Sequence, residues 1–220
     1  VDKSTWSRER IATWESGKGF LLCLTVLLVL GSVAWLFLIK GLYLLPEKMC
    51  EGTLERSVVT QVLPKARSAE DGSDRRGAGE SFSFSCYVHT SNDSSLWGRA
   101  DVEPVTREKW LESYRGSGDR NRIVSVSVDG IEALARLDDR NAVAGVYVPC
   151  APPVAADFNA PETYAVITEV GVDGDTEATG TALRQTLTDI AYRITERSYE
   201  LAECKEARGF PVELPRYEDD

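Results

Sequence analysis

Four cysteines, Cys50, Cys86, Cys150 and Cys204, and a single histidine, His89, are the residues whose chemistry most constrains this chain. An even number of cysteines scattered through one domain reads as two disulfides in an oxidising compartment. The competing reading is a four-thiolate zinc site. It lacks the C-x-x-C pairs such sites are built from, and the lone histidine supplies no second imidazole. Three connectivities are open to four cysteines. The pairing Cys50–Cys86 with Cys150–Cys204 is favoured, because each bond would then pin a helix end to a strand. A fifth cysteine, Cys23, lies in an apolar run and reads as a small apolar residue.

Other chemistry fades on inspection. His89 has Ser91 and Asp93 as sequence neighbours just past a strand end, but a nucleophile triad is assembled across a fold and not within one polar turn. No G-x-S-x-G elbow accompanies it. The stretch VDGDTEATG (172–180) begins like a calcium loop, with Asp173, Asp175 and Glu177 at alternate positions. It then has Ala178 where glycine is needed and Arg184 where the closing glutamate belongs. Glu169 and Asp189 are carboxylates with no distance assignable between them, so a glycosidase pair has no basis. Neither a phosphate-binding nor a dinucleotide-binding glycine motif is present. The reading therefore assigns no catalytic, cofactor-binding or metal-ligating residue.

The elements that would carry these residues follow from periodicity. Residues 53–63, TLERSVVTQVL, place Leu54, Val58 and Val62 four apart, which predicts a helix with Thr53 as N-cap and Pro64 as its stop. Residues 67–80 are polar, glycine-rich and aperiodic, and predict a loop. SFSFSCYV then alternates, with Phe82, Phe84, Cys86 and Val88 on one face, and residues 96–102 are its hairpin return. Thr106 to Tyr114 predicts a short helix with Trp110, Leu111 and Tyr114 inward. Residues 123–128, 142–149 and 164–172 are three further strands, with a turn at Asp138–Asn141 before the second. A last helix is expected from about Thr181 to Ala207, with Leu183, Leu187, Ile190, Ile194 and Leu201 at helical spacing, Glu196, Arg197 and Glu203 solvated, and Gly209 ending it. The fold class expected is α+β: an antiparallel sheet with helices packed on one face, preceded by one transmembrane helix.

That preceding segment is FLLCLTVLLVLGSVAWLFLI, residues 20–39, without a charge. A helix of this length is about 30 Å long, the thickness of a hydrocarbon core. Signal-peptide cleavage after Ser32-Val33-Ala34 is the alternative, but it would leave WLFLI at a new N-terminus. Leu22 rules out a lipoprotein cysteine at Cys23, and Gly31 with Ser32 would permit close packing of a partner helix. Lys3, Arg8, Arg10 and Lys18 before the segment outnumber Lys48 and Arg56 after it, which places the N-terminus in the cytoplasm. Trp6, Ile11 and Trp14 would lie along the inner surface. The expected organisation is a cytoplasmic stub (1–18), a transmembrane helix (19–45), an extracytoplasmic α+β domain (46–209) and a loosely held acidic tail (210–220). Formal net charge is −10, concentrated after the apolar segment, and this acidity excludes nucleic-acid partners. Abundant Arg, Ala, Gly and Val with a single Met suggests a GC-rich genome.

Three cysteine-bearing stretches together resemble a known pattern: CEGTL (50–54), GVYVPC (145–150) and RQTLTDIAYRITERSYELAEC (184–204). They are similar to secreted or membrane-anchored actinobacterial proteins of unknown function, and loosely to the two-disulfide sensor domains outside mycobacterial receptor kinases. The resemblance implies an extracytoplasmic α+β domain and no catalytic residues. The functional expectation is a non-enzymatic, single-pass, cell-membrane protein whose outer domain binds a ligand or an envelope protein partner, either sensor-like or as an accessory subunit. An envelope hydrolase acting on cell-wall material and a structural tether are the alternatives.

Overall fold

The computed structural model describes residues 19–35, 41–115, 123–138, 141–151 and 163–218. The chain divides into two compact units, Val1–Lys40 and Gly41–Asp220. In the first, residues 19–35 form helix α1, whose apolar side chains, Phe20, Leu27 and Leu30 among them, are exposed. At 1.5 Å per residue the described helix is roughly 26 Å long. Among the described residues no helix is long and apolar enough to cross a membrane. The stub with Trp6, Ile11 and Trp14, the end of the apolar run at 36–40, and the connection 152–162 lie outside the described residues.

The second unit is α+β. Its elements are β1 (Lys48–Met49), β2 (Leu54–Glu55), α2 (Arg56–Val62), β3 (Ala69–Arg76), β4 (Ser83–Thr90), β5 (Ser95–Pro104), α3 (Arg107–Arg115), β6 (Ile123–Val128), β7 (Ile131–Leu137), β8 (Ala142–Pro149), β9 (Tyr164–Asp173) and α4 (Gly180–Leu201). Strands β3 to β9 make one antiparallel seven-stranded sheet in the order β3-β4-β5-β9-β8-β7-β6, and β1-β2 is a separate small pair. Helix α4 packs across β5, β7, β8 and β9, with α2 against α4. The main core lies between them: Leu187, Ile190 and Ile194 of α4 meet Ala100, Ala144, Val146, Val166 and Val170 of the sheet. Gly98 of β5 makes room there, because an added Cβ would lie 2.7 Å from Ile194 Cδ1.

Several local readings are corrected by this packing. Residues 41–45 are not the end of the apolar helix; Gly41–Leu44 is a short 3-10 turn, and Leu42 and Leu45 are buried in the domain core. Thr53 is not an N-cap. It lies in the turn between β1 and β2, and the pairing of Leu54 with Met49 delays the helix until Arg56. Residues 69–76, predicted as loop, form β3, paired along eight positions with β4. Its side chains are polar because it is an edge strand open to water, and the hydrogen bonds that make it a strand come from the backbone. Strand β7 carries no clear strand signal of its own, since IEALARL has mixed propensity. Asp129 and Gly130, at φ 50° and 73°, form the two-residue turn that folds it back on β6. Helix α4 stops at Leu201, short of Gly209, with Glu203 taking the left-handed turn at φ 56°.

Cys50 is bonded to Cys86, and Cys150 to Cys204. The first bond ties the β1–β2 turn, and not a helix start, to the core face of β4. The second joins the end of β8 to the chain just beyond α4, where Lys205 N–H also donates to Ala151 C=O at 2.8 Å. The tail is docked, not loosely held. Leu214 and Tyr217 are buried, the Tyr217 hydroxyl shares a hydrogen bond with Thr188, and the Tyr217 N–H donates to Gln185 Oε1. The Tyr192 hydroxyl donates to Pro211 C=O at 2.6 Å, and Arg216 bridges to Asp189 at 2.9 Å. Burial of these two anchors, Leu214 and Tyr217, outweighs the acidic composition of the tail.

Candidate functional site

Side chains alternate across the sheet, so α4 covers only one face. The strand register lays out what the opposite face carries. One row across it is Gly72, Tyr87, Trp97, Gly171, Val143 and Arg136. The next is Asp74, Ser85, Arg99, Glu169, Gly145 and Leu134, and the one after is Arg76, Ser83, Asp101, Ile167, Tyr147 and Glu132. Helix α3 covers the β7–β8–β9 part of this face through a second, smaller core of Trp110, Tyr114, Leu134, Tyr147 and Ala165. Over β3, β4 and β5 the face is uncovered among the described residues.

The boundary between the covered and uncovered parts is a cleft of about 400 Å³, lined by Glu103, Lys109, Tyr114, Arg136, Ile167 and Glu169 among others. Gly145 makes room for the aromatic pair that lines it: an added Cβ would sit 2.5 Å from the Tyr114 hydroxyl oxygen and 3.3 Å from Trp110 Cζ2, so only glycine lets the pair settle on β8. Trp110 and Tyr114 meet edge to face, with ring centroids 5.5 Å apart. Tyr114 is thereby set over Glu169. Crowding by protein raises the Glu169 carboxyl above its ordinary range, and the charge of Arg136, a hydrogen bond with Tyr114 and the charge of Arg99 pull it back. The side chain of Glu169 as a whole stays open to solvent. Burial drives the Tyr114 phenol far up, and the neighbouring Glu169 charge adds to it. Tyr114 is therefore a hydrogen-bond donor at neutral pH and no base.

Beside the cleft, Arg99 grips Asp101 through two nitrogens at 2.6 and 3.1 Å, which raises the guanidinium pKa further. The Trp97 ring folds flat over Gly171, and Tyr87 lies over Gly72, each ring occupying the space a Cβ would need. Tyr87 remains 42% exposed. His89 stands one row further on in β4, stacked beside Tyr87 at 5.0 Å, and not in a loop past the strand.

The sequence-level candidates are not brought together. Ser91 accepts the backbone N–H groups of Arg67 and Ser68, which makes it a turn acceptor, and Asp93 occupies a left-handed turn position at φ 62°. Neither joins His89 in a proton relay. Asp173, Asp175 and Glu177 are exposed around Gly174, and among the described residues no group of three or more His, Cys, Asp or Glu is arranged to hold a metal. Glu169 shares the face of Ala165 and Ile167 under α3, whereas Asp189 is on α4 across the sheet, tied to Gln185 and Arg216. In the cleft, Ser113 Oγ donates to Trp110 C=O. The arrangement can donate and accept hydrogen bonds, present paired charges and offer aromatic faces; it has no activated nucleophile.

Sequence reasoning missed this site. Tyr87, Trp97, Arg99 and Asp101 could have been found from the alternation of β4 and β5, whose outward positions mix large aromatic and charged groups with the small polar Ser83, Ser85 and Ser95. No protein-family model matches the chain, and no curated protein and no solved structure is detectably similar to it.

Proposed function

We propose that this chain is a non-enzymatic, membrane-anchored, extracytoplasmic binding module, acting as a sensor-like unit or as an accessory subunit of a cell-envelope complex. The observation that carries the proposal is the uncovered sheet face, where Tyr87 and Trp97 lie beside the Arg99–Asp101 ion pair and the Glu169–Tyr114 cleft. Aromatic groups with an arginine on a rigid scaffold are the chemistry of recognition surfaces. Two disulfides support an oxidising compartment. The exposed apolar side chains of α1 within the uncharged run 20–39 support a single anchoring helix with the N-terminus cytoplasmic. A hydrolase acting on cell-wall material would use a pair of facing carboxylates, and the separation of Glu169 from Asp189 by the sheet lends it no support.

The test is site-specific photo-crosslinking in intact cells, with the photoreactive residue at Tyr87, at Trp97, and at Val212 as an exposed control. One shared crosslinked partner from Tyr87 and Trp97, absent from Val212, is the expected result. An identical background from all three positions overturns the binding-face reading. Extraction of the chain from membranes by alkaline carbonate overturns the anchor. Ready alkylation of Cys50, Cys86, Cys150 and Cys204 in unreduced protein overturns the compartment.

A further inference from the structure

The two edges of the seven-stranded sheet are built on opposite plans. Strand β3 carries Glu70, Asp71, Asp74, Arg75 and Arg76, the charges with which natural sheets block edge-to-edge pairing. Strand β6, at the other edge, is IVSVSV, with no charge, no proline and no glycine, and among the described residues it pairs only with β7. Val124, Val126 and Val128 pack against the main core yet stay half-buried, because α4 packs across β5, β7, β8 and β9 and stops short of this edge. The apolar layer thus runs on to a sheet edge that nothing described closes. In a chain of net charge −10, this strand itself carries no charge, and the nearby Glu132 carboxylate, which accepts from Ser127, is paired with Arg107.

The strand also reads the same in both directions: Val124-Ser125-Val126-Ser127-Val128 is a palindrome. Opposite residues of an antiparallel pair always share a face of the sheet. A two-fold axis at Val126 therefore sets Val124 against Val128 of the copy, Val126 against itself, and Ser125 against Ser127. Within these five residues every core-facing position meets valine and every outward position meets serine, both favourable cross-strand pairs, and Ile123, the remaining outward residue, falls opposite the turn residue Asp129. A foreign strand would need that same pattern by chance; the chain's own β6 has it.

We propose that β6 is a self-association edge, at which two copies of this chain join by antiparallel β6–β6 pairing into one continuous sheet. The paired edge is short, roughly 20 Å at 3.3 Å per residue, well under what a standard-sized interface uses. The association is correspondingly weak and concentration-dependent. It is independent of the uncovered sheet face, which it leaves exposed on both copies.

The experiment is mass measurement by light scattering and sedimentation on the full chain in mild detergent, with the detergent contribution subtracted, across a hundredfold range of protein concentration. Ser125 is exposed at the middle of the strand and suits substitution. The chain is expected to move from one toward two copies per particle. Ser125→Lys and Ser125→Asp each weaken association at least roughly tenfold through charge placed in the paired edge, and mixing the two variants restores it as a heterodimer. Intact disulfides in the unreduced mass and an unchanged circular dichroism spectrum show that the variants fold. A chain that stays single at every concentration overturns the proposal. So does a dimer that Ser125→Lys leaves unchanged, or a Lys–Asp mixture that stays monomeric.

Discussion

Replacing Gly145 by alanine tests whether a missing side chain seats the aromatic pair that lines the cleft. The added Cβ would lie 2.5 Å from the Tyr114 hydroxyl oxygen, 2.9 Å from its Cζ and 3.3 Å from Trp110 Cζ2. Comfortable separations are about 3.5–4.0 Å, so the Tyr114 ring must retreat by nearly an ångström. Both aromatics are buried in the small core under α3, where overpacking costs about 1–3 kcal/mol. Retreat also loosens the hydrogen bond between Tyr114 and Glu169, a further cost of about 1 kcal/mol. Gly145→Ala is therefore expected to destabilise by about 2–4 kcal/mol. Tyr114→Phe removes the nearest atom and leaves the ring carbon at 2.9 Å, so the alanine costs about 1 kcal/mol less in that background. The assay is urea unfolding of the full chain, disulfides intact, followed by the fluorescence of Trp97 and Trp110. An alanine variant within about 0.5 kcal/mol of the parent, or a strictly additive double-mutant cycle, would refute the packing argument.

Three further outcomes are expected. Removing the Cys150–Cys204 bond by substituting both residues with alanine frees a separation of 54 residues, which costs about 4 kcal/mol in the chain-entropy treatment and is read as a shift of the urea midpoint. Burial pushes the Tyr217 phenol up to about 12 from its ordinary 10.0, so its contribution is fully present below pH 10 and is lost as pH rises through about 12. Ultraviolet titration should show a late-ionising tyrosine that disappears in Tyr217→Phe together with part of the alkaline loss of stability. Glu169 also titrates above its ordinary value, so its contribution is full below that value and lost as pH rises through the folded pKa; Glu169→Gln should flatten that small decline between acid and neutral pH. A steeper decline in the glutamine variant would show that Arg99 and Arg136, and not crowding, dominate the site.

Periodicity was legible wherever one face of an element is buried and the other wet. Strands β4, β5 and β6 and helices α3 and α4 satisfy that condition, while β8 and β9, buried over most of both faces, were recognisable as short runs rich in β-branched residues. Strand β3 does not satisfy it, since polar groups occupy most of its positions, and eight backbone pairings that no local pattern encodes make it a strand. The tail likewise looked solvated by composition. Leu214 and Tyr217 find a partner surface on α4 that exists only once the helix is packed. The Asp129-Gly130 turn was a readable hairpin signal that the mixed propensity of IEALARL obscured.

By itself, then, the chain's sequence determined an α+β domain with an antiparallel sheet, because alternation and helical spacing are local consequences of backbone geometry. It also carried, in VSVSV, the symmetry of its own β6 edge. Only the tertiary structure decided which residues share a site. Arg99 and Glu169 stand opposite each other because β5 pairs with β9 in one register, and Tyr114 joins them because Gly145, two strands from β5, leaves space for its ring. A one-residue slip of either pairing would turn those side chains to the other face, and no local preference along the chain specifies such long-range registers.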